Sequence, residues 1–222
     1  MQEYSSAQAY QNPKPSVVTI GTFDGVHIGH KAILNRVIDS AKANHLTSLL
    51  LTFFPHPRMV LQKGSNLKLI NSLEEKKELL ARTGLEQLVI HPFTQDFSRM
   101  TAETFVQELL VNRLHAKKVI IGYDHRFGRN RTANIDDLRT FGIRYGFEVE
   151  EISAQELDEV AVSSTKIRKA LEAGDITTAN TYLDYPFMIS GKVIKGKEIG
   201  RTINYPTANL KPEAPYKLIP KN

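Results

Sequence analysis

The chain has 222 residues, of which 41% are hydrophobic and 24% charged, a balance that excludes intrinsic disorder as the default state. It has no cysteine, so disulfides, thiolate catalysis and Cys-ligated zinc are excluded together. The formal net charge is +5, but basic residues alternate with acidic ones, as in Leu73-Glu-Glu-Lys-Lys-Glu78, a pattern that disfavours a nucleic-acid surface and suits small polyanions.

Residues 1–15 contain no basic end followed by an apolar core, so they are not read as a secretory signal and are set aside as a tail. No apolar run approaches 18 residues, so no membrane span is predicted and a cytoplasmic location is expected. Val17–Ile20 is a short β-branched strand. It runs into Gly21-Thr22-Phe23-Asp24-Gly25-Val26-His27-Ile28-Gly29-His30, and Lys31–Ala43 then carries Ile33, Leu34, Val37, Ile38 and Ala41 at helical spacing. Ser48–Phe54 is apolar on consecutive positions, the mark of a strand buried on both faces, and it stops at Pro55-His56-Pro57. Ser72-x-x-Glu75 is a capping box that opens a helix to about Thr83, closed by Gly84. Gln87–His91 is a strand, Thr101 to about His115 a helix with Phe105, Leu109 and Leu110 inward, and Lys118–Ile121 a strand ending at Gly122. Asn134–Tyr145 is a helix, Phe147–Ile152 a fifth strand, and Ser163–Ala173 a helix closed by Gly174-Asp175.

This alternation predicts an α/β fold, a Rossmann-like parallel sheet with helices on both faces. Ligands of such sheets bind at the carboxyl ends of the strands, so the polar segments after the first, second and fourth strands are expected along one edge. Near Tyr185-Pro186 the pattern changes. Phe187–Lys195 alternates apolar and polar as a half-buried antiparallel strand does, and Gly191, Gly196 and Gly200 punctuate this part of the chain. Residues 16–185 are therefore read as the α/β domain. Residues 186–222 are read as the start of a β-barrel domain, too short to bury a core alone.

Three readings fit the histidine segment. In the first, Gly21 and Gly25 let the backbone approach a ligand, while His27 and His30, three apart at a helix start, face one point beside unpaired N–H groups. That arrangement stabilises charge developing on an attacked phosphate. The others are a structural Gly-rich turn and a metal site using His27, His30 and Asp24. The G-x-x-x-x-G-K-[ST] spacing of a P-loop is absent.

Ser163, Ser164 and Thr165 open a helix with Arg168 one turn on. They form either a clamp for the departing pyrophosphate or an ordinary N-cap with an exposed arginine. In Gly122-Tyr-Asp-His-Arg-Phe-Gly128, Asp124 suits a ribose hydroxyl and Tyr123 or Phe127 a planar ring; a plain polar loop is the alternative. Pro55-His56-Pro57 is either a ligand-facing loop or a rigid turn. His45, His91 and His115 are read as structural.

Together these segments resemble the bacterial bifunctional riboflavin kinase/FMN adenylyltransferases. Gly21–His30 is similar to the His-x-Gly-His signature of the nucleotidyltransferase superfamily. The closer resemblance lies in its order with Thr52–Pro57, Gly122–Gly128, Val162–Arg168 and Gly191–Leu210, the last holding Pro206-Thr-Ala-Asn209. The resemblance implies transfer of AMP from ATP to FMN, giving FAD and pyrophosphate, with Mg2+ accompanying ATP. It implies that His27, His30 and Arg168 are catalytic. ATP would be held by Gly21, Thr22, Phe23, Asp24, Gly25, Gly122, Asp124, Ser163, Ser164 and Thr165. FMN would lie near Pro55, His56, Pro57, Arg126 and Phe127. Thr207 and Asn209 would serve ATP and magnesium in the kinase module. His125 departs from the family pattern. The kinase module of this family continues well past this length and includes a glutamate base, so no riboflavin kinase activity is expected of these 222 residues.

Overall fold

Short apolar strands alternate with amphipathic helices along most of the computed structural model, which describes residues 1–62, 64–153, 156, 162–196, 202 and 204–220. In chain order the elements are β1 (Gln2–Tyr4), β2 (Ser16–Ile20), α1 (Ile28–Ala43), β3 (Thr47–Phe54), α2 (Pro57–Leu61), α3 (Leu73–Ala81), β4 (Gln87–Pro92), α4 (Gln95–Ser98) and α5 (Ala102–Thr104). Next come a π-helical segment (Phe105–Arg113), β5 (Ala116–Gly122), α6 (Ile135–Tyr145), β6 (Glu148–Ile152), α7 (Ser164–Glu172), α8 (Ile176–Leu183), β7 (Gly191–Ile194) and β8 (Asn209–Pro212).

Strands β1 to β6 form one sheet in the order β1-β4-β3-β2-β5-β6, and every pairing is parallel. The chain leaves β2 towards β3 and β4 on one side, then returns to place β5 and β6 on the other. The loops after β2 and β5 therefore diverge from a topological switch point, where a Rossmann-like sheet opens a crevice. Period-two alternation sorts the core. Val18, Ile20, Leu49, Leu51, Val119 and Ile121 pack with Phe105, Leu109 and Leu110. Val17 and Ile120 face Val37 and Ala41 of α1, and Leu50 and Leu88 face Leu34 and Ile38.

Two readings of the sequence are corrected. The segment set aside as a tail is part of the sheet: Gln2–Tyr4 pairs with Gln87–Val89, the Ala7 amide donates to His91 Nδ1 at 3.2 Å, and Ala7 and Tyr10 enter the core. Three polar-rich residues carry no strand periodicity of their own; they pair because β4 offers an open edge. The helix expected from Thr101 widens into π-helix. It is α-helical over Ala102–Thr104 and π-helical over Phe105–Arg113, with Phe105, Leu109 and Leu110 buried as expected.

The predicted antiparallel strand is present as β7, paired with β8, but Val193 is 72% exposed rather than half-buried. Gly200, with residues 197–201 and 203 of the Gly191–Leu210 segment, lies outside the described residues.

Candidate active site

The loop from Gly21 to His27 takes a backbone path that its own residues disfavour. Phe23 and Val26 have φ of 48° and 37°, beside Gly25 at 90°. Positive φ at a β-branched residue costs of order 1–3 kcal/mol and persists only where its surroundings over-determine it.

Here they do, because three anchored carbonyls grip the loop. Lys76 Nζ and Thr52 Oγ1 donate to the Thr22 carbonyl at 3.2 and 3.3 Å. Ser164 Oγ donates to that of Asp24 at 2.8 Å, and Tyr185 OH to that of Gly25 at 2.7 Å. The Asp24 carboxylate accepts the Ile70 amide at 3.0 and 3.2 Å, the Asn71 amide at 3.4 Å and Arg168 Nη2 at 2.8 Å. Residues from β3, α3, α7 and the stretch after α8 thus fix one turn.

His27 caps α1. Its Nδ1 accepts the His30 amide at 3.4 Å, so in the neutral ring the proton sits on Nε2. The two imidazoles stack, centroids 3.6 Å apart at 20°, with Phe23 4.6 Å from His30 on the other side. Gly29 lies against this stack: a Cβ there would reach van der Waals contact with the His27 ring, at 3.4 Å. Burial, with the nearby Arg168 charge, lowers His27 to about 4. Burial, then His27 and Lys76, holds His30 well below its usual range. Both rings are therefore neutral donors at pH 7. Across the crevice, His56 caps α2 by accepting the Arg58 amide at 3.2 Å. Burial, then Arg168, Arg58 and Lys76, lowers it to about 4. Arg168 acts on both His27 and His56, and Lys76 on both His30 and His56, so these groups share one electrostatic field. Among the described residues His30 Nδ1 and Arg168 Nε are buried without a hydrogen-bond partner, and atoms so left in a crevice are ones a ligand satisfies.

The structure gathers His27, His30, Arg168, Thr22, Asp24, Gly25 and His56. Asp24 is not a free ligand group: its oxygens are spent on Arg168 and two amides. Gly21 sits against Phe23, where a Cβ would meet the ring at 2.9 Å.

Ser164 turns inward to Asp24. Ser163 and Thr165 stand exposed at the start of α7, and Ser163 Oγ accepts the Lys166 amide at 3.3 Å. Pro55 is exposed and Pro57 opens α2. Gly122 ends β5, with Tyr123, Asp124 and Arg126 exposed beyond it. Phe127 is placed differently from a ligand-facing ring: it is 7% exposed and packs on Phe105 at 5.9 Å. Tyr123, 46% exposed, is the free ring of that loop. Asn209 opens β8 in the separate two-stranded sheet and Thr207 lies two residues before it, both exposed.

Sequence reasoning missed Lys76, Asn71 and Tyr185. Lys76 had a signal: it precedes buried Leu79 and Leu80 by three and four positions, so it lies on the apolar face of α3. Asn71 and Tyr185 gave none, because their partner, the loop after β2, is distant in the chain.

The family model described as FAD synthetase matches residues 9–166. The chain belongs to the FAD synthetase family. A second model, described as riboflavin kinase, matches residues 183–222, so the FAD synthetase match covers β2 to β6 of the parallel sheet and the kinase match covers the β7–β8 region. The "Bifunctional riboflavin kinase/FMN adenylyltransferase" of Buchnera aphidicola subsp. Acyrthosiphon pisum is 37% identical over 195 residues, 88% of this chain and 62% of that protein. The protein of the same name in Listeria monocytogenes is 37% identical over 206 residues, 92% and 65% respectively. The chain thus spans less than two thirds of the length of these curated relatives. A solved structure titled "Macrolide-efflux Protein from Streptococcus pneumoniae" has a TM-score of 0.85 at 28% identity, covering 99% of this chain and 71% of that one. No described helix of the present chain is long and apolar enough to cross a membrane.

Proposed function

We propose that the crevice at the carboxyl ends of β2, β3 and β5 transfers AMP from ATP to FMN, releasing pyrophosphate and FAD. In this reading an oxygen of the FMN phosphate attacks the α-phosphorus. The new P–O bond forms as the bond from the α-phosphorus to the bridging oxygen breaks, and pyrophosphate leaves with that electron pair. The stacked His27–His30 pair, held neutral by burial, donates N–H groups to the α-phosphate oxygens where charge grows. Arg168, already fixed by Asp24, supplies permanent positive charge for the leaving group. Ser163, Thr165 and the amides opening α7 extend that clamp. No covalent enzyme intermediate is needed; the rate comes from positioning and preorganised electrostatics.

Asp124 and Tyr123 are assigned to the nucleoside, and Pro55 to Pro57 with Arg126 to the flavin side. Among the described residues no three His or carboxylate groups converge as a cation cage. Magnesium usually keeps several waters and binds through substrate phosphates, so it is assigned to the ATP phosphates and supplies charge neutralisation there. A cytoplasmic location accords with this chemistry, as do ATP and FMN as the small-molecule partners. Thr207 and Asn209 are assigned to nucleotide binding in the riboflavin kinase region.

The observation that carries the proposal is the His27–His30 stack sharing its field with Arg168 at the switch point, in a chain whose family is FAD synthetase. The test is incubation with ATP, Mg2+ and a panel of phosphomonoesters including FMN and glycerol phosphate, followed by chromatography. FAD is the expected product. Adenylylation of another member of the panel in its place, or of none, overturns the proposal.

A further inference from the structure

Lys76 projects from the first turn of α3 into a pocket lined also by Thr22, Asp24, Phe54, His56 and Asn71. It is 7% exposed. Its described partners are neutral oxygens, the Thr22 carbonyl at 3.2 Å and the Thr52 hydroxyl at 3.3 Å. An ammonium buried among neutral acceptors is costly unless a negative charge completes its shell. The nearest carboxylates are committed elsewhere. Asp24 is bonded to Arg168 and two amides, and the adjacent Glu75 pairs with Lys217 at 2.8 Å.

Ser72 and Leu73, which open α3, line the same pocket, but their amides are already taken by Glu75 and the Tyr216 hydroxyl, so Lys76 is the group there that an anion would meet. Arg168 neutralises Asp24, which leaves Lys76 as the cation of this pocket with no ion-pair partner among the described residues, so an anion would complete its shell.

We infer that Lys76 is the binding residue for the phosphate of the acceptor, and that it makes this site select a phosphorylated flavin over an unphosphorylated one. The inference rests on the transferase reading above and adds the group that reads the acceptor's phosphate. The ATP phosphates are assigned above to His27, His30 and Arg168, none of which lines the Lys76 pocket, whereas Thr22 and His56 do. In the proposed reaction the acceptor phosphate would be held there, with Phe53 and Phe54 as the apolar part of the lining for its organic portion. Burial lowers the Lys76 ammonium to about 8 while Asp24 pulls it back up, so the residue remains charged for binding at neutral pH.

The test compares the wild-type chain with Lys76→Met and Lys76→Gln by flavin fluorescence quenching, with FMN and riboflavin titrated separately. Gln keeps a donor for the Thr22 carbonyl and Thr52 hydroxyl, so it remains folded if Met does not, and Lys76→Arg serves as the charge-retaining rescue. Loss of one charge-assisted phosphate contact weakens FMN binding by about tenfold or more. Riboflavin binding should stay unchanged, so the preference for FMN collapses in Met and Gln and partly returns in Arg. In turnover, KM for FMN rises more than KM for ATP, and Arg restores the difference. A neutral variant that keeps the wild-type preference for FMN overturns the inference, as does one that changes KM for ATP alone. The quenching comparison needs no turnover, so it stands apart from the transferase reading, which fails instead if the wild-type chain adenylylates nothing.

Discussion

Lys217 Nζ lies 2.8 Å from Glu75 Oε2, with the two side chains 1% and 2% exposed. This buried ion pair joins the segment matched by the riboflavin kinase model to α3, in the segment matched by the FAD synthetase model. Glu75 also closes the α3 capping box through the Ser72 amide at 2.9 Å and accepts the Ser190 amide at 2.9 Å. Lys217 donates to the Ile70 carbonyl at 2.5 Å, and the amide of that same Ile70 holds Asp24. A hydrogen-bonded path therefore runs from Lys217 through Ile70 and Asp24 to Arg168. Lys217→Met leaves a carboxylate buried without its cation, which costs about 3–5 kcal/mol. The double variant Glu75→Gln/Lys217→Met is expected to recover part of that loss. Urea denaturation of the two singles and the double, analysed as a cycle, checks this; simple additivity would show that the pair is not coupled.

Acid should destabilise the protein through its buried histidines. Burial, first among the causes, lowers His27, His56 and His125 to about 4. Between that value and the unfolded value near 6.5 the unfolded chain binds more protons, so stability falls as pH drops through this window and levels below it. The loss is up to about 3 kcal/mol for His27 and less for the partly exposed pair. His125 isolates the effect, because its Nε2 is buried without a described partner and its ring stacks near Phe127 at 6.1 Å. His125→Phe is expected to raise the melting temperature, more at pH 5 than at pH 7.5. An equal gain at both pH values would contradict the assignment.

What the sequence could disclose came from what is local in it. The His27/His30 spacing, the Ser72–Glu75 box and the strand–helix alternation are each set within a few residues, and each stands in the structure. Asp24 read as a ligand group because its partner Arg168 lies 144 residues away, and no periodicity reports such a pair. Phe127 read as an exposed ring because its loop is polar, yet Phe105 and Ala133 draw it into the core. Lys76 was hidden by composition: in a run of alternating charges a buried lysine looks like its solvated neighbours, and only the phase of α3 separates them.

Removing either stacked ring should slow the chemistry more than it weakens nucleotide binding. In the proposed mechanism His27→Ala and His30→Ala each delete a donor aimed at developing charge, a change worth roughly 10²–10³ in turnover. Arg168→Lys belongs with them, since an ammonium cannot hold Asp24 and present a second N–H fork at once. FAD formation under saturating ATP and FMN measures all three. Near-normal turnover in both histidine variants would remove the imidazoles from the mechanism.

The strained turn after β2 should be the least substitutable backbone in the domain, and two glycines of similar φ test this. Gly25 has φ +90°, and a Cβ there would stand 2.9 Å from Ile70 Cδ1 and 3.4 Å from Leu183 Cδ2; Gly84 has φ +87° with open space around it. Alanine carries the same left-handed conformational cost at both sites, about 1 kcal/mol, so the difference between the two variants reports packing alone. Gly84→Ala is expected to cost that backbone term only. Gly25→Ala must also push Ile70, whose amide anchors Asp24 and whose carbonyl receives Lys217, adding about 1–3 kcal/mol of overpacking. Because the same displacement moves the partner of Arg168, Gly25→Ala should lose activity beyond what its stability predicts at a temperature where it stays folded. If the two variants unfold at the same urea concentration, the turn is not held by its contacts with Ile70 and Leu183.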